Sequence, residues 1–238
     1  MRNKKIFVLT SLLIATLFFC FNIALAMPAT KEATTEQPPK SIEQPSSVPI
    51  ANQSALELHC RSAILLDGIN GTMLYEQNAD QRCYPASVTK IMTLVLILEA
   101  LDAETISLED LVSVSEAAAG MGGSQVYLYP GEQRSVHDML IAIAVGSGND
   151  AAYAMAEFVG GSYDAFIEMM NIRAAELAMS DTHFVNPHGL HDPNHYTTAR
   201  DLSKLAFHAL NVPHFLEYTS IYEYEFRPAP NLLTLWNT

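Results

Sequence analysis

The chain has 238 residues, about half of them apolar (49%), and a formal net charge of −13. That length allows one large domain or two small ones with a substantial core. The acidic balance argues against a nucleic-acid partner, since phosphate binding needs a basic surface, and an anionic substrate must be held by local cations.

Residues 1–26 read as an export signal. Arg2, Lys4 and Lys5 precede an uncharged apolar run from Ile6, and Ala24-Leu25-Ala26 is a small-x-small cleavage site before Met27. The run is almost long enough to be an uncleaved anchor; the Ala-x-Ala site favours cleavage. Either way the domain is expected outside the cytoplasm. Removal of the signal, with three basic residues and no acids, would take the charge from −13 to −16. Residues 27–54, rich in Pro, Thr, Ser, Gln and Glu with no apolar period, predict a flexible tether. Cys20 falls within the signal and lacks the small residues of a lipoprotein site. Cys60 and Cys83 could pair in an oxidising compartment, for about 3 kcal/mol. Two separate thiols are the preferred reading, because sequence gives no Cα separation.

Residues 55–238 are expected to form the folded domain. Ser62–Asp67 and Thr72–Glu76 flank Gly68-Ile69-Asn70-Gly71, an Asn-Gly hairpin signal. A helix is expected from Pro85 to about Ala103, and a short strand over Leu111–Val114. An extended piece follows at Gln125–Leu128. Ser135 with Asp138 opens a helix through Val145. Asp150–Val159 is helical and stops at Gly160-Gly161. Ser162 caps the next helix, and Thr198 with Asp201 starts another that ends at Asn211-Val212-Pro213. Between them Ser180–Thr197 reads as a polar loop with four histidines. Tyr222, Tyr224 and Phe226 alternate as in a strand.

The run Ile91–Leu98 after Pro85-Ala86-Ser87-Val88-Thr89-Lys90 is apolar on every side, which predicts a buried helix. Ser87 and Lys90 fall on one face of its start. A cation there opposes the helix dipole, and an N-cap serine favours Glu or Gln three residues on, not Lys. A serine nucleophile with a buried lysine base explains the pair better, since burial lowers a lysine's pKa. From Ala55 onward the only lysines are Lys90 and Lys204. Ser147-Gly148-Asn149 breaks two helical stretches with two glycines in three residues, Gly146 and Gly148, more than a helix corner needs. It reads as a loop presenting a hydroxyl and an amide to a cleft.

Ser-x-x-Lys followed by Ser-x-Asn is the pairing of penicillin-binding proteins and β-lactamases. From about Ser62 onward the sequence resembles a D-alanyl-D-alanine carboxypeptidase. The resemblance rests on Ala63–Asp67, Pro85–Lys90, Gly123-Ser124-Gln125, Pro130-Gly131-Glu132, Ser147–Ala152, Asn186-Pro187-His188-Gly189-Leu190 and Ala199-Arg200-Asp201. It implies a mixed α/β, transpeptidase-like fold: an antiparallel sheet flanked by helices, with a helical region holding Ser147. It implies that Ser87 attacks the penultimate D-alanine of a peptidoglycan stem peptide and that Lys90 is the general base. Ser147 would relay a proton, Asn149 would hold substrate and orient Lys90, and the Ser87 N–H would form half of an oxyanion hole. β-Lactams would acylate the same serine. No cofactor is implied, and membrane or wall association is left open.

The family's Lys-Thr-Gly motif, which would bind the substrate carboxylate, does not occur in the sequence. The chain is therefore expected to be a fragment or a truncated product lacking later strands, with little activity alone. A non-catalytic penicillin- or wall-binding remnant is the alternative. A class A β-lactamase is disfavoured because Gly148 stands where Ser-Asp-Asn has Asp, and a cytoplasmic glutaminase by the export signal. Zinc at His183, His188, His191 and His195 is disfavoured, since the resemblance explains this stretch as structural. Asp150 is expected to be a first-turn helix acid, and Arg200 an ion-pair partner near Asp201.

Overall fold

The computed structural model describes residues 58–237. The export signal and tether read from residues 1–54 lie outside the described residues. The chain begins with β1 (Ala63–Leu66) and β2 (Met73–Gln77), then a 3₁₀ turn at Ala86–Thr89 leading directly into α1 (Lys90–Asp102). After β3 (Leu111–Ser113), α2 (Glu116–Ala119) and β4 (Gln133–Ser135) come the helices α3 (Val136–Ala144), α4 (Asn149–Gly160) and α5 (Tyr163–Glu176). A long loop then leads to α6 (Ala199–Ala209), α7 (Phe215–Thr219), β5 (Glu223–Arg227) and β6 (Leu233–Trp236).

α1 is the centre of the core. Met92, Val95 and Ile97 are fully buried, with Leu94, Leu96 and Leu98 buried beside them. At about 1.5–3 kcal/mol for each large apolar side chain removed from water, this helix is held by burial and not by an amphipathic stripe. It touches α3, α4, α5, α6 and α7. The predicted caps hold: Ser135 Oγ accepts from the Asp138 N–H, Ser162 Oγ from Ala165 and Thr198 Oγ1 from Asp201. Each satisfies one of the first-turn donors that a helix leaves open. Gly161, in the left-handed region, ends α4 as its sequence suggests.

The described strands form three antiparallel pairs, β1–β2, β3–β4 and β5–β6. The fold is therefore the expected mixture of helices and antiparallel strands. In the first hairpin Ile64 faces Glu76 and Leu65 faces Tyr75, and Asp67 Oδ1 accepts from the turn N–H groups of Ile69 and Asn70.

Several details depart from the sequence reading. Gln125–Leu128 is an irregular loop and not an extended piece: Tyr127 takes a φ of +56°, and Asp150, rather than a strand, takes the N–H groups of Val126 and Leu128. The polar triplet β4 pairs with β3, α7 is only five residues long, and β6 turns back on β5; none of these has the length or period to show in sequence. Arg200 is not a partner of the Asp201 loop. Its guanidinium lies against Asp80, at 2.6 Å, and Glu76, joining α6 to the end of the first hairpin. Cys60 and Cys83 are both free thiols.

Candidate active site

Ser87 is the second residue of the 3₁₀ turn and is exposed to solvent. Neither that turn nor α1 is capped by a side chain, so Ser87 is not an N-cap hydroxyl. Pro85 sets an ordinary φ of −71° and Ala86 then takes a φ of +49°, which swings Ser87 out of the core. Positive φ in a residue with a Cβ is strained and needs support from its surroundings. Gly189 gives that support. It packs so closely that a Cβ placed on it would lie 1.8 Å from the Ala86 carbonyl oxygen.

Lys90 opens α1 and is buried, with 4% of its surface exposed. Its Nζ has three partners: Asn149 Oδ1 at 2.7 Å, the His188 carbonyl oxygen at 2.8 Å and Ser87 Oγ at 3.3 Å. These match the three donors of an ammonium. When Lys90 is neutral, its two N–H groups can keep the two short bonds, and the lone pair is left facing Ser87. Burial lowers the lysine pKa from 10.5 to about 8, and the Asp150 charge opposes that shift. At pH 7 about one molecule in ten then carries the neutral base.

The break between α3 and α4 delivers Asn149 to this lysine. Ser147 has a φ of +50°, Gly148 is the N-cap position and Asn149 is the first residue of α4. The Asn149 amide is oriented by its partners. Its Oδ1 accepts from Lys90, its Nδ2 donates to the Gly122 carbonyl at 2.7 Å, and its backbone N–H donates to Ser124 O at 2.8 Å. Gly123, at φ +79°, must be glycine: a Cβ there would lie 2.7 Å from Asn149 Nδ2. The 122–129 segment is pinned from both sides. The buried Asp150 carboxylate accepts the Val126 and Leu128 N–H groups, and Arg227 donates to the carbonyls of Val126 (2.6 Å) and Tyr127 (3.0 Å).

The loop between α5 and α6 forms the third side. Thr93 Oγ1 donates to Pro187 O at 2.6 Å, next to the His188 carbonyl that accepts from Lys90. His188 Nδ1 accepts from the Leu190 N–H, so its proton sits on Nε2, towards Tyr163. Burial first, and then the Lys90 charge, hold the His188 pKa down to about 4. His183 Nδ1 contacts Asn194 O at 2.7 Å, and the His191 ring lies edge-on to Tyr84. No group of three His, Cys, Asp or Glu side chains suited to a metal occurs among the described residues.

Of the residues singled out in sequence, Ser87, Lys90 and Asn149 meet in one cluster. Ser147 stands at the adjoining corner, half-buried, with no hydrogen bond to the other three. Asp150 is a first-turn acid of α4 as expected, and also the anchor of the 122–129 segment. Sequence reasoning missed the two carbonyls of Gly122 and His188 that fix Asn149 and Lys90. Backbone atoms have no residue signature. The glycines at 123 and 189 were their only trace, and both lie in segments that carried the resemblance. An apolar groove of about 450 Å³, lined by Ile64, Val88, Ile91, Leu202 and Phe207, runs between β1, α1 and α6. Among the described residues Ser203 is the only hydroxyl residue lining it.

Comparison with known proteins bears on the family and the fold. A family model described as D-alanyl-D-alanine carboxypeptidase matches residues 49–238. The D-alanyl-D-alanine carboxypeptidase DacF of Bacillus subtilis is 46% identical over 170 residues, which cover 71% of this chain and 44% of DacF. DacC of Escherichia coli is 41% identical over 157 residues, covering 63% of this chain and 39% of DacC. Among solved structures, the carboxypeptidase DacD from Francisella tularensis superposes with a TM-score of 0.71 at 35% identity, over 74% of this chain and 43% of its own. Penicillin-binding protein 5 from Haemophilus influenzae gives 0.72 at 34% identity, over 76% and 53% respectively. The chain spans less than half the length of these two curated relatives.

Proposed function

Since this chain belongs to the D-alanyl-D-alanine carboxypeptidase family, we propose that its Ser87 forms an acyl-enzyme with the penultimate D-alanine of peptidoglycan stem peptides, outside the cytoplasm. The observation that carries this reading is the buried Lys90 amine, 3.3 Å from an exposed serine hydroxyl and held there by two shorter bonds.

In this reading neutral Lys90 takes the Ser87 proton as Oγ bonds to the carbonyl carbon. The oxyanion meets the Ser87 N–H, one of the first-turn donors that has no partner within its helix. The amide C–N bond then breaks. The proton held by Lys90 passes through the Ser147 hydroxyl to the departing D-alanine nitrogen, while Asn149 holds the substrate backbone. Water adds to the ester, Lys90 again takes a proton, and Ser87 is released. A β-lactam would follow the first half of the path and stop at the ester. Residues 55–238 would be the catalytic domain, exported by residues 1–26 and spaced from a surface by residues 27–54.

Labelled penicillin with peptide mass mapping tests the nucleophile. The expected result is one probe mass on the Ser87 peptide, absent in Ser87→Ala and slowed in Lys90→Met. An unmodified Ser87 peptide overturns the reading. Release of D-alanine from a stem pentapeptide is a separate measurement. Acylation of Ser87 without release of D-alanine would support a second reading, a penicillin- or wall-binding role without turnover.

A further inference from the structure

We infer that His195 is a positioning residue for the Ser87–Lys90 pair, acting through Thr89 as a strut between α1 and the loop that covers the lysine. Thr89 lies between the two catalytic candidates in sequence and is fully buried, and His195 is 1% exposed. The His195 ring is used at both ends. Its Nδ1 accepts from the Val185 N–H at 3.1 Å, so the proton is on Nε2, which donates to Thr89 Oγ1 at 2.8 Å. The Phe184 ring meets the imidazole edge-on at 5.7 Å and limits its rotation.

This strut differs from the other ties between the loop and α1. Thr93 and Lys90 both reach backbone carbonyls, at Pro187 and His188. His195 is the loop side chain that reaches back to α1, and its other end grips the backbone at Val185, two residues before Pro187. It therefore sets the height of the 185–189 segment above the helix start. That segment carries both the His188 carbonyl that orders Lys90 and the Gly189 contact that supports Ala86. Remove the strut and the segment can lift, admitting water to Lys90 and loosening the Ser87 turn. A buried histidine that only filled space would leave the lysine unaffected.

The inference rests on the Ser87–Lys90 reading for its effect on acylation, but not for its effect on the lysine. The test uses the full chain with ¹³C-labelled lysine, and the Lys90 resonance is identified by its loss in Lys90→Met. Burial sets its titration first and the Asp150 charge opposes it; the polar groups that face the amine are Ser87 Oγ, Asn149 Oδ1 and the His188 carbonyl, and all of these residues stay unchanged in the test variants. His195→Asn keeps an acceptor for Val185 and loses the donor to Thr89. Thr89→Val removes the acceptor at constant shape, and serves if the histidine variant does not fold. In both, the Lys90 midpoint is expected to rise from about 8 by about one unit, as water returns to the amine. His195→Gln retains a donor near Nε2 but loses the acceptor for the Val185 N–H, so it cuts the other end of the strut and its midpoint is expected to rise as well. First-order acylation by saturating labelled penicillin should fall about tenfold in the first two variants with unchanged half-saturation, as for a displaced but intact site. Unmoved Lys90 midpoints in folded His195→Asn and Thr89→Val overturn the inference. An unlabelled wild-type Ser87 would refute the nucleophile and leave the lysine titration to decide this one.

Discussion

Gly189 offers the sharpest test of how the Ser87 turn is held. A Cβ at this position would lie 1.8 Å from the Ala86 carbonyl oxygen, 2.3 Å from its carbon and 3.0 Å from Thr89 Oγ1, where ordinary contact begins at 3.4 Å. The nearest atoms are backbone, so no side chain can rotate away. In Gly189→Ala the two backbones must part by more than about 1 Å, at an overpacking cost of about 1–3 kcal/mol. The residue also holds a φ of +87°, which adds about 1–2 kcal/mol of strain once a Cβ is present. The total expected loss is about 2–5 kcal/mol, and, on the proposed role of Ser87, a 1 Å shift of its hydroxyl should slow acylation about 100-fold. Gly68→Ala is the control, since nothing lies within 4 Å of its added Cβ. Urea midpoints and labelled-penicillin rates measure both effects. A Gly189→Ala protein as stable as Gly68→Ala would falsify the claim that this glycine supports Ala86.

The remaining expectations concern charge and the 122–129 segment. Lys90 titrates at about 8 when folded and at its ordinary 10.5 when unfolded, so the unfolded chain binds more protons between those values and stability rises with pH across that window. The gain, about 3 kcal/mol at most, is read as the difference in urea midpoint between wild type and Lys90→Met from pH 8 to 10.5. His188 and His195 are both held down to about 4 by burial, so stability is lost as pH falls from 6.5 to 4, when the unfolded rings take up protons that the folded ones refuse. Tryptophan fluorescence against pH checks this, and a flat profile over that window would contradict the buried, neutral rings. Asp150→Asn replaces a carboxylate that accepts three backbone N–H groups, from Val126, Leu128 and Ala151. It should lower stability by about 2–4 kcal/mol and speed hydrogen exchange at Val126 and Leu128 above that of the α1 core. Equal protection before and after the change would show that Arg227 alone holds the segment.

The parts of this protein that were legible in sequence share a physical cause: they depend on local chemistry. The caps at Ser135, Ser162 and Thr198, the Asn70-Gly71 turn and the largely apolar α1 each follow from a few adjacent residues. The cluster of Ser87, Lys90 and Asn149 was legible because a lysine inside a greasy helix and two glycines between helices are both unfavourable without a function. What stayed hidden depends on partners far along the chain. Arg200 finds Asp80, 120 residues away, rather than its neighbours, because the loop after β2 comes to rest on the start of α6. The Ala86 distortion is backed by Gly189, 103 residues away, which packs on its carbonyl. Asp150 looked like an ordinary first-turn acid, and its hold on Val126 and Leu128 needs a loop that no periodicity announces.

The low pKa of Lys90 also decides what kind of site this is. Burial is its leading cause, and the Asp150 charge works against it. A lysine tuned by a neighbouring cation would keep its basicity if the loop opened; a lysine tuned by burial cannot. The His188 carbonyl that orients the amine lies in the same segment whose Gly189 supports the Ser87 turn, so aim and basicity have one origin. Any movement of that segment therefore changes both at once. Raising the lysine pKa by one unit reduces the neutral fraction at pH 7 about tenfold, before any loss of geometry is counted. Acylation by this chain should accordingly respond to perturbation of residues 185–189 more steeply than to equal perturbation of the exposed rim.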